Sequence, residues 1–132
     1  MQPLVASREI ECLNGDTWEP GHIHVYQPEK NEVDWTCRFE IAWPGFRRTA
    51  SVVGYDAYQA LELALRAVPS EIEGSEIFGM GKLRLRLGAE PLNQSVLDES
   101  FYGKRFGDAS REYFEQCAQI QWDCGAAGKY YQ

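Results

Sequence analysis

The sequence is short of positive charge: thirteen lysines and arginines stand against twenty aspartates and glutamates, a formal net charge of −7. Such a balance disfavours a phosphate backbone, and neither an RNP-like aromatic motif nor a basic recognition helix is present, so nucleic acid is set aside as a partner. A basic protein is the expected counterpart, because surplus acidity steers association toward positive surfaces. No apolar run approaches the length that crosses a bilayer. Met1-Gln2-Pro3-Leu4 carries no basic segment leading into an apolar one, and the expectation is a cytoplasmic protein without membrane contact.

Cysteine chemistry is also sparse. The four cysteines, Cys12, Cys37, Cys117 and Cys124, form no C-x-x-C pair. The first two fall in strand patterns, where a thiol acts as a small hydrophobe, so all four are read as reduced; the even count leaves an exported, disulfide-linked form as the alternative. Phosphate-loop spacing is missing too. Gly79-Met80-Gly81-Lys82 lacks the G-x-x-x-x-G-K-[ST] pattern and leads into a strand, so it reads as a turn.

What remains is an ordinary globular composition, 44% hydrophobic and 13% aromatic over 132 residues. That length fits a single domain spanning residues 1–132, large enough to bury roughly two-thirds of its unfolded surface without a staple. The fold class expected is α+β: an antiparallel β-meander packed on one main helix, with an additional strand and a C-terminal helix.

Val5 to Leu13 alternates, with Ala6, Arg8, Ile10 and Cys12 on one side and Ser7, Glu9, Glu11 and Leu13 on the other. Turn chemistry at Asn14-Gly15-Asp16 and Pro20-Gly21 brings His22 to Gln27 back antiparallel, with Ile23 and Val25 inward and His22, His24 and Tyr26 outward. After a charged turn over 28–34, Trp35, Cys37, Phe39, Ile41 and Trp43 make the clearest strand pattern. Pro44-Gly45 turns the chain into a fourth strand over Thr49 to Val53. Asp56 then caps a helix whose Ala57, Leu61, Ala64, Leu65 and Val68 share one face, with Gln59 completing a capping box and Pro69 ending or kinking the element. Beyond it, Lys82, Arg84 and Arg86 alternate with Leu83, Leu85 and Leu87. This predicts a leucine face inward and a basic ladder set at an edge or opposite acidic neighbours. Leu92 to Gly107 has no regular period and reads as a long connection. Tyr113, Cys117, Ile120 and Cys124 repeat at helical spacing from Asp108 or Ser110 onward.

The residues that carry chemistry are few. His22 and His24 with Glu9 and Glu11 across the hairpin are the best enzyme-like grouping, since two imidazoles and a carboxylate hold a metal with open positions. Solvated polar residues are the competing reading of the same pattern. Both histidines lie opposite Cys12 and Cys37, which separates thiol from base. Neither a catalytic residue, a metal ligand nor a cofactor is therefore assigned.

Trp35-Thr36-Cys37-Arg38-Phe39-Glu40-Ile41, followed by Tyr55-Asp56-Ala57-Tyr58-Gln59-Ala60-Leu61-Glu62-Leu63-Ala64-Leu65, resembles small bacterial domains in which a β-meander precedes one helix. The likeness covers about residues 5 to 73. Domains of this layout look like the immunity proteins of bacterial toxin systems, which bind and neutralise a co-encoded toxin without catalysis. The resemblance transfers no individual residue. It implies a non-catalytic, protein-binding inhibitor whose partner is a basic toxin. The contact residues expected from the sequence are Asp98, Glu99, Phe101 and Tyr102 in the connection after Leu92, with Glu9, Glu11 and Glu40 as an electrostatic alternative. Two other readings stand beside it: a small metal- or ligand-binding enzyme using His22 and His24, and a self-associating module that forms a homodimer through the Leu83 strand.

Overall fold

In the computed structural model, which describes residues 2–86 and 90–102, an antiparallel sheet packs against helices in an α+β arrangement. Its strands are β1 (Leu4–Asn14), β2 (Thr17–Tyr26), β3 (Glu29–Lys30), β4 (Trp35–Trp43), β5 (Phe46–Gly54) and β6 (Leu83–Leu85). The helices are α1 (Ala57–Glu73), α2 (Glu76–Gly79) and α3 (Gln94–Tyr102). Residues through Asn93 form one compact unit; α3 belongs to a second, described separately below.

Two tight turns set the meander. Gly15, at φ 65°, occupies the first central position between the paired Asn14 and Thr17. Pro44 and Gly45, the latter at φ 85°, take the two central positions between Trp43 and Phe46, the residue order that a type II turn demands. Pro20-Gly21 does not turn the chain. Both lie inside β2, opposite Glu11 and Ile10. The pairing of β2 with β4 begins only at His22, so the missing proline N–H removes no bond on that side. Glycine is required next to it because a Cβ on Gly21 would lie 2.5 Å from the Ala42 carbonyl oxygen.

The alternation written into the strands divides the sheet into two faces. Ile10, Cys12, Ile23, Val25, Cys37, Phe39, Ile41 and Leu83 point into the core and are all buried. Leu83 thus belongs to the core, and β6, which ends the sheet on this side, pairs antiparallel with β1 through Ile10, Glu11 and Cys12. The chain reaches β6 from β5, at the other side of the sheet, by way of α1 and α2.

Asp56 caps α1 as its sequence predicts, its Oδ1 accepting from the Gln59 amide at 2.8 Å. Gln59 reaches back one residue further than a capping box, accepting from the Tyr55 amide at 2.7 Å. The buried face is Ala60, Ala64, Val68, Pro69 and Ile72, rotated from the predicted Ala57, Leu61, Ala64, Leu65, Val68 stripe, with which it shares Ala64 and Val68; Leu65 is exposed. Close approach explains the rotation: Gly54 abuts the backbone of Ala60, where an added Cβ would come within 2.5 Å of its nitrogen. At that point only an alanine-sized side chain fits between the helix and the strand, and the larger Val68 and Ile72 are buried further along α1. Pro69 does not end α1, which runs on to a Gly74 cap; burial of Pro69 and Ile72 offsets the backbone bond that proline cannot donate.

Within the second unit, residues expected in a connection form α3. Gln94 donates to Asp98 at 3.0 Å and the Ser100 hydroxyl to the Val96 carbonyl at 2.7 Å, both at i,i+4 spacing. Leu97 is fully buried. The glycines that made this stretch look irregular, Gly103 and Gly107, follow the helix in sequence. The C-terminal helix expected from Asp108 or Ser110 lies outside the described residues. Among the described residues, no helix is long and apolar enough to cross a membrane.

Candidate functional site

The face of the sheet turned away from α1 carries the densest arrangement of polar and aromatic side chains. Strand periodicity places Trp18, His22, His24 and Tyr26 of β2 on it, flanked by Glu9 and Glu11 of β1, Arg38 and Glu40 of β4, Arg47 of β5 and Arg84 of β6. Each ring is held by a neighbour. The Arg84 guanidinium lies 4.2 Å from the centre of Trp18, and that of Arg38 lies 4.2 Å from the centre of Tyr26. Between them the two imidazoles stack with centroids 3.9 Å apart, and His24 meets Tyr26 edge-on at 6.2 Å.

Carboxylates on this face are engaged by the chain's own cations. Glu11 accepts from Arg84 at 2.8 Å and Glu9 from Arg86, so the basic ladder of β6 does stand opposite acidic neighbours. Glu40, with its side chain only 13% exposed, bonds His22 Nε2 at 2.9 Å and lies 3.7 Å from Arg47. The His22 hydrogen bond is the main reason the Glu40 carboxyl is held below its ordinary range. Burial, reinforced by the neighbouring His22, pushes the His24 imidazole down. Arg38 is different: it makes no ion pair among the described residues, and its Nε is buried without a hydrogen-bond partner.

This geometry reorganises the sequence-predicted sites. His22 and His24 come together, but the carboxylate that joins them is Glu40, while Glu9 and Glu11 are tied to arginines. The metal grouping of both imidazoles with Glu9 or Glu11 does not form, and among the described residues no three His, Cys, Asp or Glu side chains are gathered as a metal requires. Glu9, Glu11 and Glu40 share one face as expected, each neutralised locally. Asp98, Glu99, Phe101 and Tyr102 sit on α3 instead of a connection; Glu99 is exposed, and Phe101 is partly buried. Cys12 and Cys37 are buried free thiols on the core face, and burial raises both above the ordinary thiol range.

Sequence reasoning missed Trp18 and Arg38. Trp18 lies in what looked like turn sequence, and the strand that sets its parity begins five residues earlier than the second strand was drawn. It also missed two exposed aromatics, Tyr55 and Tyr58, which stand 90% and 77% exposed at the start of α1. A shallow, open pocket of about 520 Å³ adjoins the face at Gly21, His22, Trp43, Phe46 and Arg47. Trp43 stacks on Phe46 at 4.2 Å, and its buried Nε1 has no hydrogen-bond partner.

No curated protein and no solved structure matches the chain. One family does, over residues 6–92, which runs from within β1 through the rest of the meander, α1 and β6, and the chain belongs to that family, described as Domain of unknown function (DUF6968).

Proposed function

We propose that this chain is a non-catalytic protein-binding domain of the immunity type, which neutralises a toxin by covering it with the open face of its sheet. The observation that carries the reading is the row Trp18, His22, His24 and Tyr26, partly exposed yet already fixed by stacked arginines and imidazoles. Tryptophan, tyrosine and arginine are the residues that most often dominate binding energy at protein interfaces. Side chains immobilised before contact lose less freedom on contact, so a prearranged face binds more tightly than its area alone implies.

Charge divides the work. The net charge of −7 steers a basic partner at long range, while on the face itself each carboxylate is already paired and Arg38 remains to receive an acidic group. The partner is therefore basic overall, with a carboxylate at its contact surface. Affinity capture from the source cell, with the full chain as bait at low and high salt, tests this. The expected result is one stoichiometric basic protein, retained less well at high salt, whose own activity falls when the chain is added in equal amount. Retention of no stoichiometric protein at either salt overturns the reading.

A further inference from the structure

β5 bounds the sheet on one side, and among the described residues no strand pairs with its second edge. An open edge nine residues long is a template for another strand; natural proteins blunt such edges with charged side chains, of which β5 has Arg47 and Arg48 near one end, or interrupt them with proline or a bulge. β5 has neither. It pairs with β4 in unbroken register from Trp35↔Gly54 to Trp43↔Phe46.

We propose that β5 is the interface of a homodimer, in which two copies pair antiparallel about a two-fold axis through Ala50. The strand is self-complementary in that register. Thr49 faces Ser51 of the second copy, Arg48 faces Val52, and Arg47 faces Val53, so no arginine stands opposite another. On the open face of the sheet, Val53, 54% exposed in the single chain, gains the alkyl stem of Arg47 as cover.

The helices fit the same axis. α1 touches β4 and β5 about equally, so its axis lies near the line between them. Strands in a sheet are about 4.8 Å apart, which sets the two copies of α1 about 10 Å apart, the upper end of ordinary helix packing. Two contacts mark how α1 runs beside β5: Gly54 against Ala60, and Arg48 bonded to Glu71 at 3.3 Å. Between these marks, the rises of helix and strand bring a residue close to Ala67 level with Ala50. Leu63, Ala67 and Glu71 recur at four-residue intervals on the flank that meets Arg48. Ala67 is small enough for two helices to approach at the axis, and Leu63, 36% exposed, has a second copy to pack on. The dimer is thereby a continuous sheet with two α1 helices side by side, and it leaves the open face of each copy uncovered.

Analytical ultracentrifugation of the full chain tests it with two variants at solvent-exposed positions. The wild type is expected at twice the mass of one chain. Val53→Arg sets an arginine opposite Arg47 and is expected to halve the observed mass; adding Arg47→Val restores an arginine–valine pair and the dimer. Circular dichroism confirms that each variant is folded. A monomeric wild type, a Val53→Arg protein that remains dimeric, or a double variant that stays monomeric would each overturn the proposal.

Discussion

At the scale of single residues, Gly54 is, with Gly21, among the tightest constraints of the described residues. A methyl group there meets the Ala60 backbone at 2.5 Å from nitrogen and 2.9 Å from Cα, and neither atom is the end of a side chain that swings aside. Gly54→Ala is expected to destabilise by about 3 kcal/mol, as overpacking against backbone does. Gly79→Ala, where an added methyl meets nothing within 4 Å, serves as the control and should stay within about 0.5 kcal/mol of wild type. Urea unfolding of both variants measures the contrast.

The histidine stack gives the residue scale a pH dependence. His24 is harder to protonate in the folded chain than in the unfolded one, because burial and the adjacent His22 both oppose the charge. Unfolding therefore takes up a proton as the pH falls below the ordinary histidine value of 6.5, and stability declines. Glu40 adds to the decline at lower pH: its depressed pKa keeps it ionised in the folded chain where the unfolded carboxylate is already protonated. Stability measured across a pH series should fall through both windows, and His24→Gln should flatten the upper one. An unchanged slope in that variant would remove His24 from the account.

At the scale of elements, what the sequence made legible depended on whether local chemistry or distant packing decided the outcome. β4 runs from Trp35 to Trp43, the span its alternation marks, because five large inward side chains leave only one register. The α1 start was equally readable from Asp56 and Gln59, and Asp56→Ala is expected to cost about 1 kcal/mol in thermal or urea unfolding, the usual loss for a helix cap. The buried face of α1 was readable only in part: Ala64 and Val68 lie on the predicted stripe, whereas Ala60 and Ile72 do not. Leucine stripes outweigh alanines in any hydrophobic count, whereas the close approach of Gly54 leaves room only for Ala60. Pro20, Gly21 and Pro69 misled for a related reason: each is a breaker by local rule, and each sits where tertiary context makes its missing donor or side chain harmless or necessary. The two histidines and three glutamates of the open face were placed correctly from pleat parity, and acidic neighbours were one of two readings of the Arg84 ladder, but the individual pairs were not legible, since His22–Glu40 and Arg84–Glu11 span 18 and 73 positions in sequence.

At the scale of the whole molecule, net acidity and the proposed binding surface are separate features. The open face holds arginines against most of its carboxylates, so in the proposed reading long-range steering falls to the surplus negative charge elsewhere and contact to Trp18, Tyr26 and Arg38. The family match covers every strand that builds this face. The most direct measurement is therefore parallel affinity capture with the wild-type chain and a folded Trp18→Ala, Arg38→Ala double variant. The account predicts a stoichiometric partner on the wild type and its loss from the double variant, since truncating central anchors costs about 2 kcal/mol or more each. A partner held equally by both proteins would contradict it, and would move the interface off the open face of the sheet.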